Sequence, residues 1–261
     1  MFVSCSILGG IKSSSTPEVL LSNLIRTMVR VKDAGYDTAE LYYSNLPDWV
    51  GNTIQAALDD LKLKAYSIHL PKFLTLFDKK DFDETISSAF SFIKACELKV
   101  AVLHLPDQDQ LTGPQWERRF EILLKAAENS GCMLTLENVP YIKDVDHVIL
   151  DEIGKRNNRP LGITIDMEFM YINGSSIEWM TDVFNGKIGN VHFRDSDGSL
   201  IGEDGYRQYI VPGEGKMDLH QVVKVLHLSG YRGPLTIEVS HRQKRNIIDA
   251  KKYAEDCLAN M

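Results

Sequence analysis

In the stretch MLTLENVP, residues 133–140, an apolar run is followed by a carboxylate, an amide and a proline. Its apolar start predicts a buried β-strand, yet that strand ends on the carboxylate of Glu137. A buried, ionised carboxylate is costly unless it is paired with a cation or ligates a metal. The pattern recurs where LGITID ends at Asp166, where IGNVHF contains His192 and where PLTIEV contains Glu238. We predict that these four residues meet around one divalent metal ion.

Short strand-like runs alternate with longer helical runs along the chain. Strands are predicted at 2–7, 38–43, 64–70, 100–105, 133–138, 161–166, 188–194 and 234–240. Helices are predicted from Thr16 to Gly35 and near 48–61, 81–97, 114–130, 144–157, 175–185 and 217–229, with a last helix closing the chain. Eight strand–helix pairs are typical of a (β/α)8 TIM barrel, so we predict one α/β domain over residues 1–261. A doubly wound open sheet is the alternative, but no GxGxxG motif follows the first strand.

The composition narrows the classes of function. A hydrophobic content of 44% and a charged content of 25% predict a folded chain with a large core. Because the net charge is −7 and no run is rich in lysine or arginine, we expect no nucleic-acid partner. No stretch approaches the roughly 18 apolar residues that span a membrane. The N-terminus lacks the basic region of a signal peptide, and four widely separated cysteines predict reduced thiols in a cytoplasmic protein.

Side-chain alternation along the strands predicts which groups face the barrel interior. In LTLE, the two leucines share one face whereas Thr135 and Glu137 share the other. The same parity turns polar groups of the other strands inward, nearly all at the carboxyl ends, where TIM-barrel active sites lie. Three carboxylates and one imidazole suit Mn²⁺, Mg²⁺, Co²⁺ or Zn²⁺. The alternative is a set of separate buried hydrogen bonds and ion pairs.

The motifs LENVP, ITID, VHFRDSDG, VPGEGKMDL and GYRGPLTIE resemble those of the xylose isomerase-like TIM barrels. This superfamily includes sugar and sugar-phosphate isomerases and epimerases, inosose dehydratases, hydroxypyruvate isomerases and the endonuclease IV class of DNA repair enzymes. The resemblance implies that Glu137, Asp166, His192 and Glu238 bind one divalent metal. It also implies that Glu137 and Glu238 are catalytic, one removing a proton from carbon and the other returning it through a metal-stabilised enediolate. Barrels of this type often form dimers or tetramers.

Further residues are predicted to contact the substrate: His69, His104, Glu40, Arg194 and Arg207. The two histidines end strands in matching His-Leu-Pro contexts. Equivalent histidines line the pocket in sugar isomerases and bind zinc in the endonuclease type. Glu40 is predicted to contact a substrate hydroxyl, with burial in a polar network as the alternative. Arg194 or Arg207 is predicted to pair with a phosphate or carboxylate of the substrate. The alternative for Arg194 is that it neutralises a neighbouring carboxylate, and the alternative for Arg207 is a solvated charge on the loop.

Two departures from the family pattern separate the functional hypotheses. Phe169 stands where the family often carries a histidine, and the loop GYRQYIVPGEG, residues 205–215, lacks the histidine of the endonuclease type. Both disfavour an endonuclease IV-like phosphodiesterase. We predict a metal-dependent isomerase or epimerase of a sugar, sugar phosphate or related polyol, or a dehydratase that begins with the same proton abstraction. A non-catalytic barrel that binds a sugar or another metabolite is the alternative that Phe169 keeps open.

Overall fold

The computed structural model describes residues 1–10, 16–43, 50–75 and 82–261. Within these residues, eight parallel strands close into a barrel in sequence order, with the last strand paired to the first. The strands are β1 (Phe2–Ser6), β2 (Thr38–Tyr42), β3 (Lys64–His69), β4 (Val100–His104), β5 (Met133–Glu137), β6 (Leu161–Asp166), β7 (Ile188–Phe193) and β8 (Pro234–Ile237). The predicted (β/α)8 TIM barrel is therefore confirmed.

Nine α-helices are found in the described part of the chain. They are α1 (Pro17–Asp33), α2 (Val50–Leu61), α3 (Phe82–Ala95), α4 (Pro114–Ser130), α5 (Val145–Lys155), α6 (Met167–Asn173), α7 (Ile177–Val183), α8 (Leu219–Leu228) and α9 (Lys244–Ala259). Short 3₁₀ helices follow three of the strands, at Leu8–Gly10, Lys72–Leu74 and Gln108–Gln110. Among these described helices, none is both long and apolar enough to cross a membrane.

The predicted strands agree with the observed ones to within one residue at each end, except for β8. That strand ends at Ile237, so Glu238 lies just beyond it. The helices predicted near 48–61 and 81–97 are observed from Val50 and from Phe82 onwards, and residues 48, 49 and 81 lie outside the described part.

The sequence analysis missed helix α6. This helix begins directly after β6, and its first turn is capped by Asp166, whose Oδ1 accepts a hydrogen bond from Phe169 N at 3.0 Å. It ends at Gly174, which adopts a left-handed conformation with φ 74°. The apolar run crosses the strand–helix boundary without a break in LGITIDMEFM. Asp166 is also a predicted metal ligand, and that prediction does not reveal its role as a helix cap.

Small polar side chains fill the barrel interior, as alternation predicted. Thr135 Oγ1 and Thr164 Oγ1 lie 2.7 Å apart, and Asn190 Oδ1 accepts a hydrogen bond from Thr236 Oγ1 at 2.8 Å. All four residues are fully buried. The leucines of β5 face the other way and belong to the apolar core. The inward-facing polar groups nearer the carboxyl ends of the strands therefore lie close to one another inside the barrel.

Strand register sets the functional groups at a common height. In the parallel ladders, His104 pairs with Glu137, and Asp166 pairs with His192. His104, Glu137 and Asp166 are the last residues of β4, β5 and β6, and His192 is the second-to-last residue of β7. The candidate site is therefore built by neighbouring strands at the carboxyl end of the barrel.

A glycine in β6 permits close approach of the chain that enters β7. A methyl group on Gly162 would overlap the backbone carbonyl oxygen of Lys187, which cannot rotate away. We expect Gly162→Ala to lower the free energy of unfolding by about 1 to 3 kcal/mol, measured by urea denaturation. Gly154→Ala in α5 is the control, since a methyl group there meets nothing within 4 Å. The control should raise stability by about 1 kcal/mol. Wild-type stability in the Gly162 variant would contradict this packing.

Candidate metal centre and active site

The structure brings the four predicted metal ligands together. One ligand atom from each of Glu137, Asp166, His192 and Glu238 lies within 4.8 Å of all the others, and all four residues are buried. Ligand atoms about 2.1 Å from a metal ion are at most about 4.2 Å apart. Only small side-chain shifts are therefore needed for the four residues to share one ion.

His192 stands at the centre of this cluster. Its Nδ1 lies 2.8 Å from Glu137 Oε1, 3.1 Å from Glu238 Oε2 and 3.8 Å from Asp166 Oδ2. Its Nε2 points to the other side, 3.3 Å from Glu40 Oε2. Burial alone would lower the pKa of His192, but the carboxylates of Glu40, Glu137 and Glu238 outweigh burial and raise its pKa well above the usual range.

Three carboxylate oxygens at the cluster lack a well-directed hydrogen bond. They are Glu137 Oε2, Asp166 Oδ2 and Glu238 Oε2, and all three are buried. Cationic groups come close, since Arg194 Nε lies 3.1 Å from Asp166 Oδ2, Arg194 Nη2 contacts Glu238 Oε2, and His104 Nε2 lies 2.5 Å from Glu137 Oε2. These contacts offset part of the negative charge. Three hard carboxylate oxygens beside one imidazole nitrogen form a donor set that fits a divalent cation.

The formal charge of the region leads to the same conclusion. Before the histidines are counted, the carboxylates exceed the guanidinium groups by three. The carboxylates belong to Glu40, Glu137, Asp166, Glu168 and Glu238, and the guanidinium groups belong to Arg194 and Arg207. In a medium of low dielectric constant, such an excess needs protons or a metal ion.

Glu137 and Glu238 are both held in the ionised form. Burial would raise the pKa of Glu137, but His192 and His104 outweigh burial and hold it well below the usual range. Burial would also raise the pKa of Glu238, but Arg194 and His192 lower it to about 2. An ionised carboxylate here can accept a proton from carbon, and its partner must be protonated before it can return one.

His69 and His104 converge on Glu137 from β3 and β4. His69 Nε2 lies 3.4 Å from Glu137 Oε2, and the two imidazole rings meet edge to face with centroids 4.8 Å apart. With Glu137 they form a second group whose ligand atoms lie within 4.8 Å of one another. Glu137 therefore belongs to both groups. The predicted substrate contacts of the two histidines stay predictions.

Glu168 is the site residue that the sequence analysis missed. It is 1% exposed and accepts hydrogen bonds from Arg207, at 2.8 Å from Nη1 and 2.5 Å from Nη2, and from Arg194 Nη1 at 3.1 Å. The ring of Phe169 lies beneath both guanidinium groups, with centroid distances of 5.3 and 5.9 Å. A charged residue inside the otherwise apolar run MEFMY was the signal that could have found it. Both predicted arginines are therefore anchored to one buried carboxylate.

Asp195 organises the loop that carries Arg207. Its Oδ2 accepts hydrogen bonds from the backbone of Gly213 and Gly215, both at 2.9 Å, and its Oδ1 accepts from Met217 N at 3.2 Å. Gly213 has a φ of 93°, a conformation that favours glycine. The backbone amides of this turn are occupied by a carboxylate of the chain itself, which holds the loop against the barrel.

Comparison with known proteins agrees with this geometry. The family model of the xylose isomerase-like TIM barrels matches residues 28–259. An inosose isomerase from Halalkalibacterium halodurans is 20% identical over 240 residues, which cover 84% of this chain and 83% of that protein. A fructoselysine 3-epimerase from Escherichia coli O157:H7 is 26% identical over 165 residues, 60% of this chain and 58% of that protein.

A similar solved structure is that of a D-allulose 3-epimerase from Methylomonas sp. in complex with D-allulose. It has a TM-score of 0.72 and 16% sequence identity, over 99% of this chain and 95% of that chain. At this identity the likeness concerns the fold. The match to the family model over most of the sequence confirms the predicted resemblance, and the chain belongs to the xylose isomerase-like TIM barrel family.

Proposed function

We propose that the protein is a divalent-metal-dependent isomerase or epimerase of a sugar, sugar phosphate or related polyol. The observation that carries the proposal is the convergence of three buried carboxylates and one imidazole within 4.8 Å at the carboxyl end of the barrel. Relatives named as an inosose isomerase and a fructoselysine 3-epimerase support sugar chemistry. The donor set suits one Mn²⁺, Mg²⁺, Co²⁺ or Zn²⁺.

Glu137 and Glu238 are the proposed acid–base pair. They approach His192 Nδ1 from β5 and from the end of β8, at 2.8 and 3.1 Å. One glutamate, as the carboxylate, removes a proton from the carbon beside a carbonyl. The other glutamate, after it has taken up a proton from solvent, delivers it to the same or the adjacent carbon. A metal bound here supplies Lewis-acid polarisation of the substrate oxygens. The handedness of the substrate carbon decides which glutamate acts as the base.

The remaining polar groups form the proposed substrate pocket. His104 has a side chain that is 23% exposed beside Glu137, which suits a hydrogen bond to a substrate hydroxyl. Arg207 lies farther out, and its guanidinium stands 4.7 Å from the ring centre of Tyr209. It is the proposed partner for an anionic group of the substrate.

The four cysteines are free and buried, which supports a cytoplasmic location.

A second candidate function draws on the group His69, His104 and Glu137. Since this group shares Glu137 with the first, it offers a place for a further metal ion. Several metal ions per chain would favour a phosphodiesterase of the endonuclease IV type. The histidine-free loop at 205–215 and Phe169 weigh against this candidate. Metal stoichiometry separates the two functions.

Elemental mass spectrometry of tag-free protein should find about one divalent ion per chain, because the cluster offers four ligands to one ion. The double variant Glu137→Gln/Glu238→Gln should lose that ion. Glu152→Gln is the matched control, since Glu152 is 5% exposed and paired with Arg156 away from the barrel interior. Two or three zinc ions per chain would favour the second candidate. No metal after incubation with Mn²⁺ would contradict the proposal.

Proton exchange is the second test of the proposed function. In D₂O, the wild type should exchange a carbon-bound proton of a suitable ketose or inosose, followed by NMR. Glu137→Gln and Glu238→Gln should each slow exchange by about 10²- to 10⁴-fold, because each removes one proton-transfer group. The Glu152→Gln variant should keep the wild-type rate. Binding of these sugars without exchange would instead favour a non-catalytic binding barrel.

Metal binding should also depend on pH. The raised pKa of His192 favours its imidazolium form in the metal-free protein. It must lose that proton to ligate a metal, so affinity should rise as the pH increases towards the raised pKa. Calorimetric titration with MnCl₂ at pH 7, in two buffers of different ionisation enthalpy, should report release of about one proton. Binding without proton release would contradict this assignment.

A further inference from the structure

Glu40 lies on the Nε2 side of the His192 ring, away from the carboxylates of the three candidate metal ligands. The residue lies in β2 and has no exposed surface. Its Oε2 accepts hydrogen bonds from Ser67 Oγ at 2.9 Å and Asn190 Nδ2 at 2.7 Å, and lies 3.3 Å from His192 Nε2. Its Oε1 lies 3.2 Å from the same ring nitrogen. The chain's own donors therefore hold Oε2, and both oxygens lie close to His192 Nε2.

The two nitrogens of His192 therefore face carboxylates on opposite sides. A proton on Nε2 points at Glu40, which leaves the Nδ1 lone pair directed at Glu137 and Glu238. A lone pair facing two carboxylate oxygens is repelled unless a cation lies between them. The arrangement with Nε2–H donated to Glu40 is thus the one in which Nδ1 serves as a metal ligand.

Asn190 holds Glu40 in this orientation. Its side-chain oxygen accepts hydrogen bonds from Thr236 Oγ1 at 2.8 Å and Val191 N at 2.9 Å, so its amide nitrogen must face Glu40. Asn190 precedes His192 by two residues on β7, and alternation places both side chains inside the barrel. Strand β7 therefore carries His192 and also Asn190, the residue that orients Glu40 towards His192.

We propose that Glu40 is a positioning residue of the metal centre, which fixes the tautomer and ring orientation of His192 so that Nδ1 is presented to a divalent ion. This inference rests on the proposed metal-dependent function. It replaces the predicted contact between Glu40 and a substrate hydroxyl. Outer partners of metal-ligating histidines commonly control metal affinity in this way.

Three variants separate positioning from electrostatic attraction. Glu40→Leu removes both acceptor oxygens and the charge, whereas Glu40→Gln keeps one acceptor oxygen, removes the charge and replaces the second oxygen with an amide donor. Thr135→Val is the matched control, because it alters a fully buried polar pair of the barrel interior that does not touch His192. The affinity for Mn²⁺ is measured by calorimetry. The tautomer of His192 is measured by ¹⁵N NMR of histidine-labelled protein with and without Zn²⁺.

We expect Glu40→Leu to weaken Mn²⁺ binding by about 10- to 100-fold. Glu40→Gln should stay much closer to the wild type, and Thr135→Val should match it. In the Zn²⁺-loaded wild type, NMR should show the proton of His192 on Nε2. This last measurement needs no variant, but it tests only whether Nδ1 is the ligating atom. Asn190→Ala removes the donor that orients Glu40 and should also weaken Mn²⁺ binding, so it tests the positioning role if Glu40→Leu does not fold.

Other outcomes overturn the inference. Equal losses in the Leu and Gln variants would show that one retained acceptor oxygen does not preserve metal binding, and a proton on Nδ1 in the Zn²⁺-loaded wild type would exclude the proposed tautomer. Wild-type affinity in Glu40→Leu would overturn the positioning role and leave the metal centre intact. A wild type that binds neither Mn²⁺ nor Zn²⁺ would instead overturn the proposed function itself, and the inference with it.

Discussion

The excess of buried negative charge at the carboxyl end of the barrel is the constraint on which the rest of the site depends. Carboxylates on β2, β5 and β6, at the start of α6 and just after β8 crowd into one buried region, and the nearby guanidinium groups offset only part of their charge. The cost of burying such groups is too high to be an accident of packing. The proposed divalent ion would relieve the excess by ligating the oxygens of Glu137, Asp166 and Glu238.

The barrel satisfies this constraint through register and through side chains with two functions. Parallel pairing places Asp166 beside His192 and His104 beside Glu137. Asp166 caps α6 with one carboxylate oxygen and turns the other towards His192. One residue therefore ends β6, caps α6 and is a candidate metal ligand. The orientation of the site is therefore built into the backbone, and loops contribute mainly the outer arginine.

The position where the family often carries a histidine shows how this chain differs. Phe169 supplies an aromatic face beneath Arg194 and Arg207, and Glu168 binds both guanidinium groups. The surroundings of Phe169 are thus cationic and aromatic. Arg194, which lies over this ring, also contacts Asp166 and Glu238, so Phe169 adjoins the candidate metal ligands through Arg194.

The sequence by itself determined the order of the strands and of every described helix except α6, the carboxyl end of the barrel as the location of the site, and the four converging residues, because hydrophobic periodicity and strand alternation are local properties. The same locality explains what was missed. Helix α6 is short and continues an apolar run, and the partners of Glu168 lie 26 and 39 residues away. Only the tertiary structure decided that Glu40 lies behind His192, because its contacts with Asn190 and His192 join residues about 150 positions apart. Closure of the barrel sets those distances, and no spacing along the chain encodes which side of an imidazole a distant carboxylate will face.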